Sequence, residues 1–401
     1  MLLGLTSLFT DIAAEMVVTV LPLYLVYVGQ FSPLAFGLVD GIQRGGAAIV
    51  GLASGFIGDR FRRHKEVAVA GYGLSAFVKL GLATAGTALS TVTALVLLDR
   101  IGKGIRTAPR DAMISLSTPK DQLGVAFGVH RALDTTGAML GPLVAFAILA
   151  FAPNAFESVF LVSFCIALIG LGILLLLVPA RRAGQPAPGL EPRTVEEVLP
   201  PRLKLRQALV ILKVPRFRGL LAAGAALSLA TASDAFVFLV LQDKLDLSLT
   251  LFPLLFVGMA AVFMVLAVPV GRIADRVGRG RVLLGGYLLL LCVYGALLSP
   301  VDGVVLVALS LALLGGYYAA TDGVLMAFGS ALVPDEVRGS GLALLGTTVN
   351  VSRLLASVIF GALWAAAGID AAIGVFAVAL AIAICLAALA LVHTREDVVR
   401  V

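Results

Sequence analysis

Twelve apolar stretches, each about twenty residues or longer, take up most of this 401-residue chain. They fall at about 5–28, 34–57, 67–88, 91–114, 123–150 and 157–179, then at about 217–241, 252–273, 281–299, 303–328, 339–366 and 370–392. Wound as helix at about 1.5 Å per residue, stretches of this length cross the roughly 30 Å of bilayer hydrocarbon. Composition leaves little choice of class. Hydrophobic residues make up 60% of the chain and charged residues 13%. Soluble domains carry roughly 25% charged residues, so this chain cannot clothe a globule in water. Its 43 glycines agree, because small residues let membrane helices approach closely. The expectation is an all-α membrane protein with twelve transmembrane helices. The first stretch carries Asp11 and Glu15 and has no basic leader, so it reads as permanent structure rather than a cleaved signal.

Loop charges set the orientation. Arg60, Arg62, Arg63 and Lys65 lie between spans 2 and 3, and Arg272, Arg276, Arg279 and Arg281 between spans 8 and 9. Nine more Lys and Arg residues occupy the stretch from Arg181 to Arg218. The 1–2, 3–4, 5–6, 9–10 and 11–12 connections hold none, and Lys244 between spans 7 and 8 is the exception. Lys and Arg are retained on the cytoplasmic side, so both termini are expected there. The net charge of +6 then belongs to topology, and no nucleic-acid partner is implied. Cys165, Cys292 and Cys385 sit in apolar runs without ligand-like spacing, so no metal or disulfide is expected.

The two halves of the chain echo each other. Gly55-Phe-Ile-Gly-Asp59-Arg60 corresponds to Gly271-Arg-Ile-Ala-Asp275-Arg276-Val-Gly278-Arg279, 216 residues on. Pro119-Lys-Asp-Gln leads into span 5 as Pro334-Asp-Glu-Val leads into span 11, 215 residues on. The chain therefore divides into a six-helix bundle at 1–180, a cytoplasmic central loop at 181–215 rich in Pro, Arg and Glu, and a second six-helix bundle at 216–401. Two pseudo-symmetric bundles are the architecture of a rocking transporter whose substrate sits between them near the midplane.

The repeated Gly-x-x-x-Asp-Arg-x-Gly-Arg type loop, the twelve spans, the central loop and Gly137-Ala-Met-Leu-Gly141-Pro142 resemble the major facilitator superfamily along essentially the whole chain. Ser7-Leu-Phe-Thr-Asp11-Ile-Ala-Ala-Glu15 and Asp99-Arg100-Ile-Gly-Lys103-Gly104-Ile-Arg106-Thr-Ala-Pro-Arg110-Asp111 resemble a bacterial subgroup whose members are mostly described only as transporters or efflux proteins. The first loop departs from the family pattern at Arg62, where the family has glycine. The helix 5 motif continues Leu-Val-Ala where the family has a glycine-rich ending. The resemblance implies the major facilitator fold, a bacterial inner-membrane location, a gating role for the two charged loops and a proton-transfer role for Arg100. It also links the helix 5 motif to antiport.

The charged residues inside the spans carry the chemistry. An ionised group in hydrocarbon costs several kcal/mol even on lenient scales, yet Asp11, Glu15, Asp40, Asp99, Asp134, Asp234 and Asp322 all fall within spans. Asp11 and Glu15 are four apart and share a helix face. Two carboxylates so close resist simultaneous ionisation, which suits proton coupling; a cationic substrate or static pairing with basic neighbours are the other readings. Asp40 and Arg44 at the same spacing read as a mutually neutralising pair facing the bundle interior. Lys79 needs a partner, with Asp40 or a helix 1 carboxylate as candidates. On helix 4, Arg100, Lys103 and Arg106 step along one broad face, to couple protons, hold an anionic group or form a structural network.

Arg131 and Asp134 read as partners on helix 5, and His130 as a group able to relay protons near neutrality. Gly137, Gly141 and Pro142 read as a packing face and kink that close helix 5 against the other half. Asp59, Arg60 and Arg63, with Asp275, Arg276 and Arg279, read as gating contacts that form in one conformation and break in the other. In the second half Asp234, Tyr317, Tyr318, Asp322, Asn350 and Arg353 suit a cavity wall.

These features favour a proton-coupled secondary transporter of a small organic solute, an efflux antiporter first and a symporter or exchanger for an anionic or zwitterionic metabolite second. A membrane-embedded enzyme or a channel fits less well. No Walker-type phosphate loop supports ATP use, and no residue cluster has metal-ligand spacing. The expected partners are the solute, protons and membrane lipids, with the chain acting as a monomer, without a cofactor and driven by the proton gradient.

Overall fold

The computed structural model describes residues 1–46, 64–119, 122–179, 214–333 and 338–392. The expected gating residues Asp59, Arg60 and Arg63, and nearly all of the central loop, lie outside them. The described residues form twelve helices, counting one broken helix once. The first half comprises α1 (Leu2–Leu23), α2 (33–46), α3 (His64–Thr84), α4 (Leu89–Leu116), α5 (Leu123–Phe151) and α6 (Phe156–Gly172). In the second half α7 runs as two pieces, Pro215–Leu229 and Asp234–Leu245. It is followed by α8 (Phe252–Val277), α9 (Arg279–Leu298), α10 (Gly303–Leu332), α11 (Arg338–Ala367) and α12 (Ile369–Val392).

Each half follows the same pairing plan. In the first, α1 packs on α5 and α6, and α3 packs on α4 and α6. In the second, the first piece of α7 packs on α11 and α12, and α9 packs on α10 and α12. The second plan is the first with every helix number raised by six, so the short loop repeat in the sequence marks a repeat of whole bundles. By contacts the chain falls into two compact units. One holds Met1–Phe31, Ile42–Arg202 and Ser248–Val257; the other holds Ser32–Gly41, Leu203–Leu247 and Gly258–Val401. The N-terminal parts of α2 and α8 thus fall in the opposite units from those a simple cut at the central loop would give.

Local chemistry explains the irregular turns. Pro22 supplies no amide hydrogen to α1, and the helix widens into a π-helical turn over Tyr24–Val28. A second π-helical turn, Ile173–Leu177, ends α6, where Lys65 Nζ donates to the carbonyls of Leu175 (2.9 Å) and Val178 (2.6 Å). Lys244, the residue that breaks the loop-charge rule, does the same for α9: its Nζ donates to the carbonyls of Leu297 (2.9 Å) and Ser299 (2.7 Å). A cation at a helix C-terminus meets the negative end of the dipole, so its place is set by capping. The α8–α9 connection turns on Gly278, whose φ of 108° only glycine adopts readily.

The largest departure from the sequence expectation is in α7. A single span over about 217–241 was expected; the structure breaks it at 230–233. Ser233 caps the second piece, its hydroxyl accepting from the Phe236 amide at 3.3 Å. Tyr294 of α9 mends the break itself. Its hydroxyl accepts from the Ala232 amide at 2.7 Å and donates to the Ala230 carbonyl at 3.2 Å. Backbone groups freed inside a membrane must find such partners.

Candidate functional site

In the first unit the charges of α1, α3 and α4 assemble into two paired clusters with an unpaired couple beside them. Asp99 is the hub of the first cluster. It is bonded to the Arg100 guanidinium, accepts from the Ser75 hydroxyl and lies 3.5 Å from Lys79 Nζ. Lys79 also donates to the Ser75 carbonyl at 2.9 Å. The partner of Lys79 is therefore Asp99, not Asp40 or a helix 1 carboxylate as expected. Sequence spacing could not show this, because the pair forms across α3 and α4. A cavity of about 20 Å³ adjoins the cluster, lined by Gln43, Lys79, Asp99 and Arg100 among apolar side chains. That is room for a water molecule in a polar setting.

The second cluster joins α1 to α4. Arg106 lies 3.8 Å from Asp11 and places its guanidinium 4.5 Å from the centre of the Tyr72 ring. Its charge is thus met on one side by a carboxylate and on the other by an aromatic face. Beyond it, Arg110 bonds to Asp111 at 3.0 Å and reaches Ser7 Oγ at 3.4 Å.

Glu15 and Lys103 stand apart from these clusters. Among the described residues neither side chain has a hydrogen bond or an ion pair, while Lys103 is the charge that acts on Glu15 most strongly. Asp11, Arg100 and Arg44 act on Glu15 more weakly. Both side chains are partly exposed rather than sealed. An acid and a base left without fixed partners, between groups that have them, can take up a proton and a solute group.

The glycines of α5 position this couple. A Cβ at Gly137 would lie 2.7 Å from the Leu8 carbonyl and 3.1 Å from the Asp11 Cβ; at Gly141 it would lie 2.7 Å from both the Ile12 carbonyl and the Glu15 Cβ. Here the small-residue face of α5, expected to close against the other half, meets α1 behind the two carboxylates. Pro142 is buried beside it. Asp134 also differs from expectation. It lies 3.6 Å from His130, a turn away on the same helix, while Arg131 is exposed and makes no such pair.

The second unit is built from hydroxyls and rings. Asp234, in the first turn after the α7 break, accepts from the Tyr318 hydroxyl at 2.7 Å. Tyr287, Tyr317 and Tyr318 follow one another with ring centres 5.4 and 5.0 Å apart, and Arg353 acts on Tyr287. Asn350 is half-buried on α11, whereas Asp322 is exposed rather than enclosed. Asp40 is buried and accepts from the Ser357 hydroxyl of α11. At the α8–α9 turn Asp275 pairs with Arg279 at 3.1 Å, and Arg279 also donates to the Ala327 carbonyl of α10 at 3.0 Å. Arg276 lies in the last turn of α8. The sequence reading missed Tyr294 and the cap Ser233; the serine preceding an acid in an otherwise apolar run was the signal for them.

Comparison with known proteins decides the family. The model of the Major Facilitator Superfamily matches residues 3–356 and again 235–400. The chain belongs to the major facilitator superfamily. An uncharacterised MFS-type transporter of Methanocaldococcus jannaschii is 32% identical over 378 residues, covering 90% of this chain and 87% of that one. Among solved structures, the nucleoside transporter NupG superposes with a TM-score of 0.77 at 14% identity over 99% of each chain. A peptide transporter POT superposes with a TM-score of 0.77 at 15% identity over 97% of this chain and 93% of that one. These structures share the major facilitator fold. As an MFS-type transporter, a class that moves solutes rather than transforming them, the chain has in Glu15, Lys103 and their neighbours its candidate working residues. Among the described residues no group of His, Cys, Asp and Glu is placed to hold a metal ion.

Proposed function

We propose that this protein is a proton-coupled secondary transporter, working by alternating access on a small organic solute that carries an acidic group, alone or as a zwitterion. The observation that carries the reading is the unpaired Glu15–Lys103 couple. An ionised Glu15 competes with the solute for Lys103 and neutralises it. A protonated Glu15 leaves the Lys103 ammonium for a solute carboxylate or phosphate. Proton and anionic group then bind together, which is the logic of symport. Arg100, beside the Asp99 hub, supplies the deep positive charge that keeps the site from being acidic overall, and Asp11 is held ready by Arg106. In the second unit Asp234 and Tyr318, with Asn350 and Arg353, are the candidate recognition residues in this reading.

Efflux by antiport of a cationic solute is the second reading. In it Glu15 itself holds the cation and releases it on protonation. The basic residues on α4 weigh against it, while the Gly137–Gly141–Pro142 motif speaks for it. Transport into inside-out vesicles under an imposed pH gradient, across a panel of anionic, zwitterionic and cationic solutes, separates the two. Accumulation of anionic or zwitterionic solutes with protons moving the same way supports the first reading. Exchange of cations against protons selects the second. Indifference of all transport to every pH gradient would sink both.

A further inference from the structure

The acidic couple on α1 has a continuation on α5. Residues 130, 134, 137 and 141 are spaced by four, three and four, so they share one helix face. On that face Gly137 lies against Asp11 and Gly141 against Glu15. One turn before Gly137 the face carries Asp134, and one turn earlier His130. These two are 3.6 Å apart, Nε2 to Oδ2. His130 is 6% exposed. Both of its ring nitrogens, and Asp134 Oδ1, are buried without a hydrogen-bond partner in the protein.

Buried polar atoms that the protein leaves unmatched are satisfied by internal water. An imidazole with both nitrogens in that condition can accept a proton on one and release a proton from the other. The charged groups acting on His130 are Arg110 and Asp111 from α4 and Asp134 and Arg131 from α5, while Asp134 in turn acts on Asp11 of α1. The side chain of Asp111 is 40% exposed, that of Asp134 14% and that of Asp11 18%. The row is thus most open at Asp111, with Asp134 and Asp11 both largely covered.

We propose that His130 and Asp134 form a proton relay between the cytoplasm and the Asp11–Glu15 pair. His130 takes a proton at one ring nitrogen and gives up the proton of the other to Asp134. The Asp134 carboxyl then passes its proton through water to Asp11, returning to the carboxylate, and a ring flip restores the starting tautomer of His130. No group is consumed, and one proton moves one way. The relay rests on the reading of Glu15 as the group that carries the coupled proton, and it sets how fast that group meets the cytoplasm, not how strongly it binds.

The test uses the full chain in lipid nanodiscs, with a pH jump as the probe and the carbonyl stretch of protonated carboxyl groups as the signal, followed by time-resolved infrared spectroscopy. The band that disappears in Glu15→Gln reports Glu15. In His130→Ala that band should reach its wild-type amplitude at least roughly tenfold more slowly, within the range that positioned proton-transfer groups supply, and added imidazole should restore the rate. Asp134→Asn should slow it as well, without rescue. An unchanged rate in both His130→Ala and Asp134→Asn overturns the relay. So does an altered amplitude with no response to imidazole, which marks a purely structural role. If the wild-type protein has no band that depends on Glu15, the coupling reading itself fails and the relay with it.

Discussion

Asp11 and Asp234 are both carboxylates inside the membrane, and the two halves of the molecule hold them by different means. Asp11 faces an arginine at 3.8 Å, within a region where arginine and lysine outnumber the acids they meet. Asp234 is held by a tyrosine hydroxyl at 2.7 Å and by its place in the first turn of a helix that starts within the span. A helix N-terminus carries about half a positive charge, so the break in the backbone adds a dipole to what holds Asp234. The difference bears on the proton coupling proposed above. An ion pair makes each charge depend on its neighbour's protonation, whereas a tyrosine hydroxyl and a helix start keep their polarity when charges elsewhere change. In the proposed reading the first half titrates and the second recognises the solute by shape.

Substitutions can break this contrast, and the largest effect is expected at Glu15. Glu15→Gln should lower gradient-driven accumulation by roughly a hundredfold or more while leaving equilibrium solute binding nearly intact. Equal accumulation by the variant in proteoliposomes would remove Glu15 from coupling. Next comes Arg106→Leu, which removes the buried arginine that faces the half-buried Asp11 carboxylate. A loss of about 3–5 kcal/mol is expected, read as a lowered midpoint of thermal unfolding in detergent, and adding Asp11→Asn should recover much of it. If the double variant is no more stable than the single one, Asp11 and Arg106 do not depend on each other.

Gly141→Ala forces a methyl group against the Ile12 carbonyl and the Glu15 Cβ, for which overpacking costs of about 1–3 kcal/mol are usual. Wild-type stability in that variant would show that α1 and α5 separate more easily than their contact suggests. The smallest effect belongs to Tyr318→Phe, which removes one hydrogen bond from Asp234 for about 1 kcal/mol. A loss as large as that of Arg106→Leu would show that the Tyr318 hydroxyl matters to Asp234 as much as Arg106 does to Asp11.

The span count, the repeat and the class of the molecule were legible in the sequence because they depend on hydropathy and loop charge, which each segment carries by itself. Partners within one helix were less secure. Asp134 was matched to Arg131 by spacing, but helix rotation turns Arg131 outward and brings His130 to the carboxylate. Partners across helices were not legible at all. Lys79 meets Asp99 because α3 and α4 pack in one particular register, and no spacing rule contains that register. The face formed by Gly137 and Gly141 could be seen, but not which neighbour it would meet. In α7 the hydropathy of a continuous span concealed a break whose signature, Ser233 followed by Asp234, is two residues long.

The break in α7 also bears on how the protein is made. By length and composition Pro215–Leu245 is one spanning segment of 31 residues, and it enters the bilayer before Tyr294 has been synthesised. Without that hydroxyl, a broken backbone would leave the Ala232 amide and the Ala230 carbonyl unpaired in lipid, at a cost of several kcal/mol each. The newborn segment is therefore most stable as an unbroken helix, and the arrival of α9 converts it. Maturation of the second half thus has a direction, with a later helix reshaping an earlier one after both are in the membrane.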